Sequence, residues 1–158
     1  HRLKDSYEEY IPLATNAIKL CKLIGSIICG EETHFLGALG TSMIMVFDME
    51  GAKTGLSEKE AKQMGLDYIT KTIKGHNHAI YYPNPKPIHV KLLADRESHQ
   101  LLGVQIIGYE GAALRINTAA VAIHAKLSTE ELGWIDFGYA PPFSPTWDAL
   151  QVACNVIK

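Results

Sequence analysis

Cysteine is scarce: the 158 residues contain three, Cys21, Cys29 and Cys154, with no C-x-x-C pair among them. An odd, scattered set excludes a disulfide framework and a zinc ribbon, and is the usage expected in a reducing cytoplasm. Cys21 and Cys29 share one face of an expected helix with Cα atoms about 12 Å apart, too far to bridge, so both are expected in the core. Long apolar runs are missing as well, because each is broken by Lys, Glu or Asp, and no membrane span is expected. Charge of one sign is not in excess: 15 basic and 17 acidic residues give a net charge of -2. That balance leaves no electrostatic footprint for a phosphate backbone, so nucleic acid is not an expected partner. No G-x-G-x-x-G is present, since Gly103, Gly108 and Gly111 have other spacings, and no G-x-S-x-G marks a hydrolase. An initiating Met is lacking too; His1 reads as a fragment boundary, and residues 1–11 as the remnant of a connection from something upstream.

What is present reads as one ordinary globular domain, 47% hydrophobic and 20% charged, with enough chain to bury about two thirds of its unfolded surface. From Pro12 to Cys29 apolar residues recur at three- and four-residue steps, with Pro near the start and Gly30 past the end, which predicts a helix. Ser42 to Asp48 is rich in Met, Ile, Val and Phe and predicts a largely buried strand, followed by a return strand over about Gly51 to Leu56. Ser57 with Glu60, and Ser128 with Glu131, form two S-x-x-E capping boxes that each open a short helix. Between them lie a β-prone segment over Leu66 to Lys74, a Pro-rich loop from Tyr82 to Pro87, and a hairpin made of Ile88 to Leu92 and Leu101 to Gly108. Ala112 to Lys126 predicts a largely uncharged helix, and Thr146 to Ile157 another. This order, strands clustered in the middle with hairpin-length links, predicts an α+β fold with a mainly antiparallel sheet.

Three places could carry chemistry. In Gly138 to Pro145, three prolines restrict the backbone, so Tyr139 and Phe143 are held in defined places; the plainer reading is a loop that ends helices and buries rings. The Tyr139 phenol could donate a hydrogen bond to an anionic sulfur or flavin species. His76-Asn77-His78 could aim two imidazoles at a metal from one strand face, but no third ligand has useful spacing, so exposed loop histidines are the better reading and no metal site is expected. The small residues of Ala112 to Lys126 suit either a buried core helix or a two-fold interface.

Several stretches together resemble one family. Tyr10 to Ala17 (YIPLATNA), Gly37 to Thr41 (GALGT), Val46-Phe47-Asp48, Thr54 to Ala61 (TGLSEKEA), Tyr81-Tyr82-Pro83, Gly103 to Gly108 (GVQIIG) and Tyr139 to Ser144 (YAPPFS) occur in this order and spacing in coenzyme A-disulfide reductases and related NADH oxidases. These are pyridine nucleotide-disulfide oxidoreductases, and the resemblance covers nearly the whole chain. It implies that residues 1–32 end an FAD-binding domain with its last helix, and that 33–158 form the carboxy-terminal dimerisation domain, a sheet of about five antiparallel strands flanked by helices. The implied parent is a cytoplasmic homodimer using FAD and NAD(P)H, with FAD and NAD domains and a redox-active cysteine upstream and a coenzyme A-type substrate. The piece by itself is expected to be inactive and to retain neither cofactor. Carried over residue by residue, Ala14 and Thr15 face the flavin, while Tyr139 and Tyr81, rather than Tyr82, assist the partner subunit's active site. Cys21 and Lys22 depart from the Gly and Arg common in relatives. A standalone α+β module that binds a small ligand or protein is the competing reading, motivated by the aromatic, Pro-rich loops.

Overall fold

Two capping boxes and one hairpin set the frame of the fold. The computed structural model describes residues 10–157. Its elements are α1 (Ala14–Ile28), β1 (Ser42–Val46), β2 (Met49–Gly55), α2 (Glu58–Gln63), β3 (Tyr68–His76), β4 (Pro87–Asp95), β5 (Leu101–Gly108), α3 (Arg115–His124), α4 (Thr129–Trp134) and α5 (Ala149–Val156). The strands form one sheet in the order β1-β2-β5-β4-β3, antiparallel throughout. The expected α+β class with five antiparallel strands is therefore what the chain adopts. Both capping boxes are made: the Ser57 hydroxyl accepts from Glu60 N–H, and the Ser128 hydroxyl from Glu131 N–H, with each glutamate accepting in return.

Period-two alternation sorts the side chains of the sheet. Ile88, Val90 and Leu92 of β4, with Val104 and Ile106 of β5, point to the face where α3 and α5 lie, and pack with Ile116, Ile123 and Leu150. Leu93 and Leu102 point the other way, into a smaller cluster with Leu56 and Ala61 under α2. A register shift between Leu93 and Ala94 lets β4 run on into the turn without turning Ala94 out of the main core.

Four expectations fail, each for a physical reason. The run Ser42–Val46 is a strand but is not buried, because α3 and α5 cover β2 to β5 while β1 is the sheet edge. Its turn residue Phe47 is 96% exposed and takes a φ of 55°, a conformation costly for a bulky side chain. Cys21 and Cys29 are exposed, since α1 buries none of its residues against the rest of the described chain; only Cys154 is in the core. There, burial pushes the Cys154 thiol up to about 12. The histidines are not both exposed: His76 is, whereas His78 is buried, because β3 ends between them and the chain bends inward. The last helix starts at Ala149 rather than Thr146, since Asp148 is its N-cap, accepting from Leu150 N–H at 2.9 Å. Among the described residues no helix is long and apolar enough to cross a membrane.

Candidate functional site

The connection from β3 to β4 and the loop from α4 to α5 meet at one edge of the domain. Proline supplies the shape on both sides. Pro83, Pro85 and Pro87 restrict the first segment, and Pro141, Pro142 and Pro145 the second. Ala79 N–H donates to Pro141 O at 3.3 Å, joining the two. Within the second loop, Phe143 and Ser144 N–H both donate to Ala140 O, a tight turn directly after Tyr139. The buried His78 and the exposed Tyr82 meet edge to face with centroids 5.5 Å apart.

This arrangement brings Tyr81 and Tyr139 together. They are 58 residues apart in the chain, yet their hydroxyls share a hydrogen bond. Both rings stand on the surface, 71% and 47% exposed. The hydrogen bond with Tyr139 is the main reason the Tyr81 phenol lies above its usual value, followed by partial burial and the neighbouring phenol's charge. Tyr81 therefore stays protonated at neutral pH. In such a pair one hydroxyl donates inward and the other keeps its proton for a third group, so the pair can donate to an incoming anion.

Below the tyrosines lies a residue that sequence reasoning missed. Arg115 opens α3 and spreads its guanidinium over four acceptors: Nε donates to Asp148 Oδ2 at 2.7 Å, Nη1 to Gly111 O at 2.8 Å, and Nη2 to Asn77 O at 2.6 Å and Phe143 O at 3.3 Å. The Arg115 and Asp148 side chains are 13% and 9% exposed. Removing one partner from a buried pair of this kind costs about 3–5 kcal/mol. Ser144 Oγ also donates to Asp148 Oδ2, at 3.2 Å. The only local signal for this cluster was the D-x-x-Q capping pattern of Asp148 and Gln151, and the expectation of a largely uncharged helix passed over Arg115.

Ala14 and Thr15 lie elsewhere. They form the first turn of α1, which has no side-chain cap and no acidic residue; among the described residues the Ala14 and Thr15 N–H groups have no hydrogen-bond partner, and the positive dipole end favours an anion there. The turn opens on a cleft of about 790 Å³ whose walls include His34, Gly37, Thr41, Asn117 and His124, but neither Tyr81 nor Tyr139. The histidine pair does not assemble a metal site, and among the described residues no group of three or more His, Cys, Asp or Glu could hold an ion.

Comparison with known proteins identifies the domain that carries both places. The family model described as pyridine nucleotide-disulphide oxidoreductase, dimerisation domain, matches residues 41–150. The NAD(P)H coenzyme A polysulfide/persulfide reductase of Pyrococcus horikoshii is 42% identical over 149 residues, which are 94% of this chain and 33% of that protein. Coenzyme A disulfide reductase of Staphylococcus aureus is 32% identical over 143 residues, 90% of this chain and 32% of that one. The solved NAD-dependent persulfide reductase of A. fulgidus superposes with a TM-score of 0.89 at 35% identity, over 92% of this chain and 27% of that one. The chain thus spans about a third of the length of the curated relatives it matches.

Proposed function

The chain belongs to the pyridine nucleotide-disulphide oxidoreductase family as its dimerisation domain, and we propose that it serves a homodimeric, FAD-dependent enzyme that uses NAD(P)H to reduce coenzyme A disulfide or a related disulfide or persulfide. The observation that carries this reading is the surface pair of Tyr81 and Tyr139, whose hydroxyls meet at the exposed edge of the domain. The names of the relatives support the substrate class, since they speak of coenzyme A disulfide, polysulfide and persulfide. Residues 1–32 then end the FAD-binding domain and 33–158 are the interface domain. A helix α1 with no buried residue supports that division, because its apolar side is left for another domain to cover. The free cysteines fit a reducing cytoplasm.

When bound, the flavin supplies the passage of two electrons from NAD(P)H to the disulfide. The residues of this chain bind and orient. The N–H groups of Ala14 and Thr15 would face the flavin's electron-rich pyrimidine edge, where a helix amino terminus stabilises negative charge. Tyr81 and Tyr139 would donate a hydrogen bond to the sulfur that leaves as a thiolate. The cleft at Ala14 has neither tyrosine in its walls, which supports an active site completed by two copies, the flavin side from one and the hydroxyls from the other.

Hybrid dimers test this. One subunit carries Tyr81→Phe and Tyr139→Phe, and its partner lacks its redox cysteine. If the tyrosines act across the interface, one of the two sites is intact and the hybrid reduces coenzyme A disulfide at about half the wild-type rate; if they act within their own subunit, both sites are impaired and the rate collapses.

A further inference from the structure

We propose that Arg115 is a positioning residue: it sets the distance between the Tyr81 and Tyr139 hydroxyls by tying the two loops that carry them to one rigid fork. The inference rests on the reading of that pair as the hydrogen-bond donor to the substrate sulfur.

The geometry is specific to both loops. Asn77, whose carbonyl accepts from Nη2 at 2.6 Å, lies four residues before Tyr81, and Phe143, whose carbonyl accepts from the same nitrogen at 3.3 Å, lies four residues after Tyr139. One nitrogen therefore spans the gap between the two segments. Its own position is fixed from the other end of the guanidinium, by Asp148 and by Gly111 O. Asp148 in turn accepts from Ser144 Oγ in the Tyr139 loop and from Leu150 N–H at the start of α5. On the Tyr81 side, Asn77 adds three further bonds: its N–H donates to Lys86 O, its Oδ1 accepts from Lys86 N–H, and its Nδ2 donates to Glu110 O. Each loop is thus stiff within itself, and Arg115 joins them through side-chain bonds that add to the direct Ala79 N–H to Pro141 O bond.

That junction matters because the tyrosines themselves are exposed and have little packing to hold them. A hydroxyl pair delivers its outward proton along a defined direction only while both rings stay in place, and a displacement of about 1 Å at such a site can cost about 100-fold in rate. The planar guanidinium presents donors at fixed angles to several acceptors at once, which a lysine ammonium on a flexible stem does not reproduce.

The experiment uses the full-length dimeric holoenzyme and three proteins: Arg115→Lys, the Tyr81→Phe/Tyr139→Phe variant, and their combination. Rates are taken with coenzyme A disulfide and, as a reference that needs only the flavin, with ferricyanide. Arg115→Lys is expected to lower kcat on the disulfide about tenfold or more, within the cost of a displaced group, with KM, ferricyanide rate, bound flavin and dimer mass unchanged. In the double-phenylalanine background Arg115→Lys is expected to have no further effect, because it acts through the pair. A full, additive loss in that background overturns the inference and leaves the tyrosine reading standing. Unimpaired disulfide reduction by the double-phenylalanine variant instead overturns the tyrosine reading, and the inference with it. Asp148→Asn, which keeps an N-cap for α5 but weakens the anchor of Arg115, provides a second probe with the same expected pattern. If both Arg115→Lys and Asp148→Asn lose bound flavin or dimerisation, the pair is a folding element and the positioning role is rejected.

Discussion

The carboxylate of Glu50 accepts the backbone N–H of Ala113 at 2.7 Å and that of Gly111 at 3.3 Å, so a side chain of β2 caps the turn that leads into α3. Leu114, the residue at the N-cap position of that helix, offers no side-chain cap of its own. A glutamate more than sixty residues earlier in the chain thus performs the task that Ser57, Ser128 and Asp148 perform locally for α2, α4 and α5.

Glu50→Ala should therefore destabilise the protein by about 1–2 kcal/mol, the usual cost of losing a helix cap, with a further effect on the tyrosine loops through Arg115 at the head of α3. The midpoint of urea unfolding measures it. An unchanged midpoint would mean that water replaces the carboxylate without cost.

Glu58 gives a pH-dependent prediction. Its hydrogen bond to Lys91, and then the charge of that lysine, hold the carboxyl below its usual range, and Tyr68 adds a weaker bond at 3.3 Å. A carboxylate with a depressed folded value contributes stability that is present above its unfolded value, about 4.3, and is lost as pH falls through the folded one. Unfolding midpoints of wild type and Glu58→Gln should converge as the pH is lowered into that window and separate above it. A constant difference across the range would show that the ion pair is not the source.

The cysteines should separate into two classes. In this chain Cys21 and Cys29 are exposed and should take up a maleimide label, while Cys154, buried and with its thiol raised to about 12, should not. Mass spectrometry after a timed reaction reads the sites directly. If, as proposed, an upstream domain lies over α1, Cys21 and Cys29 should be protected in the full-length protein, and labelling at the same rate as in the chain alone would count against that packing.

Gly103 faces Gly55 where β2 meets β5. A Cβ at position 103 would lie 1.8 Å from the Leu56 carbonyl oxygen, a backbone atom that cannot move aside. Gly103→Ala should cost about 3 kcal/mol, at the upper end of overpacking penalties. Differential scanning calorimetry would show the drop, and a variant melting like wild type would mean that the strands can part here.

Features encoded within a few residues were legible in the sequence. The capping boxes at Ser57 and Ser128 and the hairpin of β4 and β5 depend on neighbours in the chain, and the structure contains them as expected. What was not legible depends on partners far away. An apolar run such as Ser42 to Val46 looks the same whether a helix of its own domain covers it or not, and periodicity in α1 shows an apolar face without saying what lies against it. His78 turns inward because β3 stops at His76, a boundary that no residue type announces. Arg115 finds its partners 33 and 38 residues away, at Asp148 and Asn77, a separation that leaves no periodic trace. Tyr81 and Tyr139 were given one destination only through resemblance; their hydrogen bond to each other was not expected.

The strand order has a consequence for how the hydroxyl pair comes into being. β3, β4 and β5 are neighbours both along the chain and in the sheet, and the first tyrosine sits in the link between two of them. Contacts between near neighbours form early, while those that must close a long loop form late. The second tyrosine follows the sheet by some thirty residues, and its loop is anchored only once α5 has docked and Asp148 has found Arg115. A nascent polypeptide leaving the ribosome would thus complete its sheet while holding only the first phenol of the pair, and the pair itself would form later than the sheet.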